Sequence, residues 1–298
     1  MSEISNMIRT AFAEGDERRD KGLSMPDNIL RFDDIAYGDH MTWQLLDVYR
    51  PRERKEEILP VIVSVHGGGW VYGDKDKYQY YCMAMAQRGF AVVNFSYRLA
   101  PEYKFPAPIE DTNSVFSWVI HNADRFGFDP EHIFAVGDSA GAHTLAIYTA
   151  ICTNKSYAKQ YGFQVPDRFF PKAISLNCGV YAPKPAAGEK DITQKLLEDY
   201  LPDKGNKENW QRIKVVDFIT EKFPTVFIST AVGDFLADQA VVLADKLTKA
   251  NVPFQYRYYG NSDNPPGHVF HLDIRNRLGQ QCIDEECMFF LNHIGTDC

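Results

Sequence analysis

The chain of 298 residues sets 32 Lys and Arg against 40 Asp and Glu, a formal charge of −8 at pH 7, with 45% hydrophobic and 24% charged residues. That composition belongs to a folded globular protein and excludes a disordered or fibrous one. The acidic balance, with no run of Lys and Arg, argues against the phosphate-neutralising surface that nucleic-acid binding needs, and the lack of any stretch of about 18 apolar residues excludes a membrane-spanning helix.

From Met1 through Lys21 the chain is charged and offers no apolar stretch for a signal peptide, so a soluble, cytoplasmic protein is expected. Alternation over Phe32 to Tyr37 and over Met41 to Tyr49 predicts two short strands paired as a leading hairpin. Leu59 to Val65 is an almost continuous apolar, β-branched run, as in a strand covered on both faces. A helix over Lys77 to Arg88, closed by Gly89, leads to a buried strand over Phe90 to Tyr97. The alternation continues with a helix over Pro108 to Ala123, a strand over Ile133 to Val136 and a helix over Ala140 to Thr153. Strands over Ala173 to Asn177 and Thr225 to Ala231, a helix over Asp238 to Ala250, a strand over Phe254 to Tyr258 and a helix over Leu272 to His293 complete it. Strands alternating with helices predict an α/β fold, a mostly parallel sheet of about eight strands flanked by helices in one domain spanning 1–298.

Two segments break this rhythm. The first thirty residues form an amphipathic, charge-rich lead-in, and Tyr181 to Phe223, punctuated by Pro183, Pro185, Gly188, Pro202 and Gly205, separates two strands. Either a lid or a surface excursion fits such an insertion. Six cysteines (Cys82, Cys152, Cys178, Cys282, Cys287, Cys298) stand singly, without a Cys-x-x-Cys pair or zinc-finger spacing, and read as reduced thiols.

Gly137-Asp138-Ser139-Ala140-Gly141 lies between a predicted strand and a predicted helix, the setting that gives Gly-x-Ser-x-Gly its meaning. A turn that sharp crowds the positions two before and two after the serine, where glycine avoids collision, and it lifts Ser139 above the sheet. The amides that follow, at a helix start, face any negative charge that develops on a substrate oxygen. His66-Gly67-Gly68-Gly69-Trp70, directly after a strand, exposes bare backbone amides in the manner of an oxyanion hole. A phosphate cradle would want Gly-Lys-Ser/Thr or Gly-x-Gly-x-x-Gly, and Trp70-Val71-Tyr72-Gly73-Asp74 supplies neither. His66 reads as an anchor for that loop rather than as a base.

A serine hydroxyl needs a base at neutral pH, and an imidazole, with a pKa of about 6.5, oriented by a carboxylate, suits the task. Asp234 follows the strand ending at Ala231, and His268 follows the strand ending at Tyr258, so both sit at C-terminal strand ends. Asp238 competes with Asp234 but fits better as a helix N-cap, and His271 competes with His268 but fits better as an early residue of the last helix. A metal role for His268 and His271 lacks the His-Glu-x-x-His pattern or clustered carboxylates, so neither metal nor cofactor is expected.

Taken together, the motifs resemble those of the α/β-hydrolase superfamily, and within it the hormone-sensitive-lipase-like bacterial carboxylesterases. The matching pieces are His66-Gly67-Gly68-Gly69-Trp70, Tyr97-Arg98-Leu99-Ala100-Pro101-Glu102, Gly137-Asp138-Ser139-Ala140-Gly141, Asp234-x-Leu236 and His268-x-Phe270. The resemblance implies Ser139 as nucleophile, His268 as base, Asp234 as its orienter, and the amides of Gly68, Gly69 and Ala140 as oxyanion hole. It also implies a small helical cap built from about residues 1–30 and 181–223. Ala142 stands where members often have glycine, and Phe235 where they often have proline, a change that could narrow the acyl pocket. Trp70, Tyr72 and Phe235 are the expected substrate contacts, with Tyr181, Tyr200 and Trp210 as further aromatic residues bordering the site. The expected activity is hydrolysis of small, short-chain acyl esters by a monomer or homodimer without a nucleic-acid or membrane partner. Amides, formamides, phenolic esters and acetylated sugars would serve the same triad, and a catalytically silent receptor is the non-enzymatic alternative.

Overall fold

The computed structural model describes residues 2–295 apart from 168, 170, 187 and 189, so Cys298 lies outside the described residues. Helix α1 (Glu3–Asp20) opens the chain, its N-cap Ser2 accepting from the Ser5 amide. Strands β1 (Ile29–Ala36) and β2 (Leu45–Pro51) form the expected antiparallel hairpin. Next come β3 (Leu59–Val65), α2 (Lys75–Ala86), β4 (Ala91–Phe95), α3 (Ala107–His121), the single turn α4 (Ala123–Phe126), β5 (Phe128–Asp138), α5 (Ala140–Thr153) and the short α6 (Lys155–Ala158). Then β6 (Ala173–Asn177), α7 (Ile192–Tyr200), α8 (Lys207–Ile213), β7 (Thr225–Ala231), α9 (Ala237–Lys249), β8 (Phe254–Tyr259) and α10 (Arg277–Leu291) complete the order.

All eight strands join one sheet in the order β1-β2-β4-β3-β5-β6-β7-β8. The pairs β1·β2 and β2·β4 are antiparallel, and every pair from β4·β3 onward is parallel. Apolar β3 takes a central place, flanked by β4 and β5, with Val61, Val63 and Val65 on one face and Ile62 on the other. Covering both faces with helices is what a run without polar alternation requires, and at roughly 25 cal/mol per Å² that burial is the main favourable term. The expected α/β-hydrolase architecture is the one observed.

Three boundaries differ instructively. Strand β5 begins at Phe128, five residues before the apolar run, because Phe128 pairs with Leu59 across a register shift while Asp129 to His132 carry no strand pattern. The last helix starts at Arg277 instead of Leu272, since the Asn276 side chain caps it by accepting from the Leu278 amide, and His271 falls in a separate 3-10 turn over Phe270–Leu272. Helix α9 starts one residue early, so Asp238 stands exposed in its first turn and Leu236 occupies the N-cap. No helix among the described residues is long and apolar enough to cross a membrane.

Beneath the strand ends, the wholly buried carboxylate of Glu286 on α10 accepts from Ser175 Oγ (2.6 Å), Asn177 Nδ2 (2.6 Å) and Tyr81 Oη (2.9 Å). Burial pushes this carboxyl up in pKa, and the three donors, none of them cationic, oppose it. Asn177 Oδ1 in turn accepts from Ser229 Oγ (2.6 Å), so α10 is tied to both β6 and β7.

Candidate active site

Strand β5 delivers the sharp turn at Ser139 and α5 carries the chain away. Ser139 sits at φ 50, a left-handed conformation, with its amide donating to the Asn177 carbonyl (2.9 Å). A Cβ at Gly141 would stand 2.1 Å from the Val65 carbonyl oxygen and one at Gly137 would stand 2.7 Å from that of Gly141, so no side chain fits at either position. The cost of bending Ser139 is therefore fixed by its surroundings, the usual condition for strain to persist at a functional turn.

Strand β7 ends at Ala231 and the chain turns through Gly233, which bridges to Gly267 and so draws the two loops after β7 and β8 together. This contact places Asp234 beside His268. Ser139 Oγ lies 2.9 Å from His268 Nε2, and His268 Nδ1 lies 2.7 Å from Asp234 Oδ1. An ionised carboxylate only accepts, so Nδ1 carries the proton toward Asp234 and Nε2 is free to accept from Ser139. Asp234 also takes hydrogen bonds from Thr230 Oγ1 (2.7 Å) and the Leu236 amide (3.0 Å). Burial alone would raise its pKa; the His268 hydrogen bond and charge, with those two donors, outweigh burial and hold it at about 2, so it stays anionic.

The glycine loop packs against the elbow. Gly68 has φ 117 and Gly69 φ 61, and a Cβ on Gly68 would come 2.0 Å from the Tyr72 carbonyl oxygen. The Gly67 amide donates to Tyr78 Oη (2.8 Å), which donates to Asp138 Oδ2 (2.8 Å). Burial pushes the enclosed Asp138 carboxyl up to about 7, against the pull of the Tyr78 hydrogen bond. Neither Tyr78 nor this role of Asp138 was foreseeable, because only tertiary contact joins α2 to the elbow. His66 stacks on Tyr97 (4.0 Å, 11°) and bonds the Gly67 carbonyl (2.8 Å). Burial pushes its pKa down to about 4, so it is a neutral brace for the loop.

A cavity of about 320 Å³ opens over Ser139, His268 and Gly68. Phe235, Val269 and Leu272 form an apolar side, and Tyr72 and the α1 residues Phe12, Asp16 and Arg19 form the other. Phe235 lies 4.5 Å from the His268 ring and is 66% exposed. Tyr72 donates to Asp16 (2.8 Å), which pairs with Arg19 (2.8 Å). Residues 1–30 are part of the expected cap, and α1 lies along this cavity; that Phe12, Asp16 and Arg19 are the residues facing it had no mark in the sequence, because residues on a surface helix do not disclose what they face.

Several expectations change here. Trp70 does not reach the cavity: at 2% exposure it stacks on Tyr200 (5.3 Å) and meets His143 edge-on (5.4 Å), since φ 63 turns it under the loop. Tyr181 and Tyr200 are likewise buried, and Trp210 packs partly buried against the core. No described residue of the 181–223 insertion lines this cavity; Leu196 of that insertion lies behind Gly69 instead. His271 is wholly buried, edge-on to Tyr81 (5.3 Å), and burial pushes its pKa down to about 3. The one cluster of metal-ligating side chains among the described residues is Cys178, Asp234 and His268, without His271.

Fold and site define an α/β-hydrolase with a serine, a histidine and an aspartate joined by hydrogen bonds at the strand ends. The chain belongs to the BD-FAE family, whose model matches residues 46–247, within the α/β-hydrolase carboxylesterases. It is similar to carboxylesterase NlhH of Mycobacterium tuberculosis, 30% identical over 75% of this chain and 71% of the relative. It is also similar to versiconal hemiacetal acetate esterase of Dothistroma septosporum, 28% identical over 67% of this chain. The chain spans 64% of the length of that fungal relative. A crystal structure of inhibited esterase B from Lactobacillus rhamnosis superposes with a TM-score of 0.87 at 22% identity, covering 98% of this chain and 97% of that one. That likeness shows the shared fold.

Proposed function

We propose that the protein is a serine carboxylesterase that hydrolyses small, short-chain acyl esters. The observation that carries this reading is the unbroken relay from Ser139 Oγ to His268 Nε2 (2.9 Å) and from Nδ1 to Asp234 (2.7 Å). Ser139 attacks the ester carbonyl as His268 takes its proton, forming the Oγ–C bond and a tetrahedral oxyanion held by the amides of Gly68, Gly69 and Ala140. His268 returns the proton to the departing alcohol oxygen, leaving an acyl-enzyme. Water repeats the sequence and releases the acid, restoring Ser139. Asp234, anionic throughout, fixes the tautomer and stabilises the imidazolium.

The cavity of about 320 Å³ sits at the low end of ligand sites and supports a compact ester. The names of the relatives, a carboxylesterase and an acetate esterase, support the same bond and a short acyl group. Hydrolysis of p-nitrophenyl esters from acetate to palmitate tests it, with wild type and Ser139→Ala side by side. Activity highest on the short members and lost in the variant is expected; equal turnover by both proteins would overturn the assignment. The rate should also rise with pH as an imidazole gives up its proton, and a rate flat from about pH 5 to 8 would count against a histidine base.

A further inference from the structure

We propose that Cys178, Asp234 and His268 form a latent site for a thiophilic divalent cation, Zn²⁺ in the first instance, which acts as an off-switch and not as a cofactor. The Cys178 sulfur, an Asp234 carboxylate oxygen and a His268 ring nitrogen all lie within 4.8 Å of one another. Thiolate, imidazole and carboxylate are the ligand types Zn²⁺ selects, with bonds of about 2.3 Å to sulfur and about 2.0 Å to nitrogen or oxygen. Three donors arranged this way need shifts on the order of 1 Å to meet around one ion, and three protein ligands with a solvent molecule as the fourth is a common zinc arrangement. Cys178 and Asp234 are buried, while His268 lines the cavity and gives the ion its way in.

The backbone holds the thiol in that position. Cys178 has φ 49, a conformation unfavourable for a residue with a side chain, and its amide is pinned to the Ser229 carbonyl (2.8 Å). A glycine would adopt that turn without strain, yet the position carries a thiol against the Asp234 carboxylate.

Proton and electron accounting shows why occupancy stops turnover. In the free site Nδ1–H donates to Asp234 and Nε2 accepts from Ser139. On binding, the Cys178 S–H bond breaks, its proton goes to solvent, and the sulfur gives a lone pair to the ion. His268 gives its Nδ1 lone pair to the ion, and its single ring proton moves to Nε2. Asp234 binds through an oxygen without changing charge, and nothing is oxidised or reduced. Nε2–H then faces Ser139 as a donor, so no base remains for the serine proton. The loss of turnover rests on the esterase reading; binding of the ion does not.

Binding is tested on the full chain carrying Ser139→Ala, which separates it from turnover, by adding Co²⁺ and following thiolate-to-cobalt charge-transfer absorption in the near ultraviolet. The band should appear, be displaced by Zn²⁺, and vanish when Cys178→Ser is added. In proteins with Ser139 intact, Zn²⁺ should inhibit ester hydrolysis, EDTA should restore it, and Mg²⁺ should have no effect. Loss of an outer-shell partner alone lowers metal affinity by about 10- to 100-fold, so Cys178→Ser and Cys178→Ala, each measured against its own uninhibited rate, should need at least about tenfold more Zn²⁺. A cobalt band that survives Cys178→Ser, or Zn²⁺ inhibition as potent in the two Cys178 variants as in wild type, would overturn the proposal. Absence of hydrolysis in wild type would instead count against the esterase reading, with the cobalt spectrum still deciding the metal site.

Discussion

The two walls of the active-site cavity are held by different physics. On the side of the sheet, Ser139 and the glycine loop are wedged between backbones that leave no room for a Cβ at Gly68 or Gly141, and the groups that brace them are buried. On the opposite side, α1 buries only Ser5 and Ile8 and is fastened by polar contacts: Arg9 to Glu102 (2.6 Å), Arg9 to the Val71 and Ala100 carbonyls, Ser2 and Ser5 to Asp199, and Arg19 to the Lys77 carbonyl. Contacts of the first kind leave no alternative packing; those of the second exchange readily with water. Chemistry is thus built on the wall that cannot yield, and the shape of the cavity is set by the wall that can.

The contrast breaks most completely at Ser139. Ser139→Ala should lower kcat/KM by at least about 10⁴-fold with little change in Tm, and His268→Ala should come close to it, whereas the buried His271→Ala should leave most of the activity and lower Tm. Next in size is the rigid wall itself. Gly141→Ala must displace the Val65 carbonyl, so a loss of stability of about 2 kcal/mol or more is expected by urea denaturation; an unchanged midpoint would show that the elbow has slack. The pliant wall should respond differently. Arg9→Ala should cost under about 1 kcal/mol of stability but raise KM more than it lowers kcat, since it loosens α1 without touching Ser139.

The smallest effect concerns pH. Asp138 has a folded pKa near 7, above the ordinary carboxyl value of 3.8, so the native state holds a proton that the unfolded chain releases. Its contribution is full below about pH 4 and declines as pH rises through 7, and in Asp138→Asn that decline should disappear from a plot of Tm against pH. Asp234, held at about 2, has the opposite sign, and its contribution is lost as pH falls from about 4 toward 2.

The same division governs what the sequence discloses. Strands β3, β6 and β7 and helix α5 begin and end where the pattern places them, because an apolar run between polar turns, or a Gly-x-Ser-x-Gly between strand and helix, states its own boundaries. The three residues of the relay were also legible, each marked by a strand end. What stayed hidden depends on contact between distant segments. Trp70 follows the glycine loop like a pocket residue, but its positive φ sends it beneath, onto Tyr200. Asp16 and Arg19 read as ordinary surface charge, and only the docking of α1 makes them a wall of the cavity. The start of α10 moved for a different, local reason, since the Asn276 cap overrides the apolar residues before it.

The Glu286 network carries a consequence for the order in which this protein matures. The carbonyl that receives the Ser139 amide belongs to Asn177, and the side chain of Asn177 is seated on a carboxylate supplied by α10. A chain emerging from the ribosome completes Ser139 long before residue 286, so its reactive turn is finished only when the last helix docks. Ribosome-held intermediates should therefore remain unlabelled by a serine-directed phosphonate until α10 has cleared the exit tunnel.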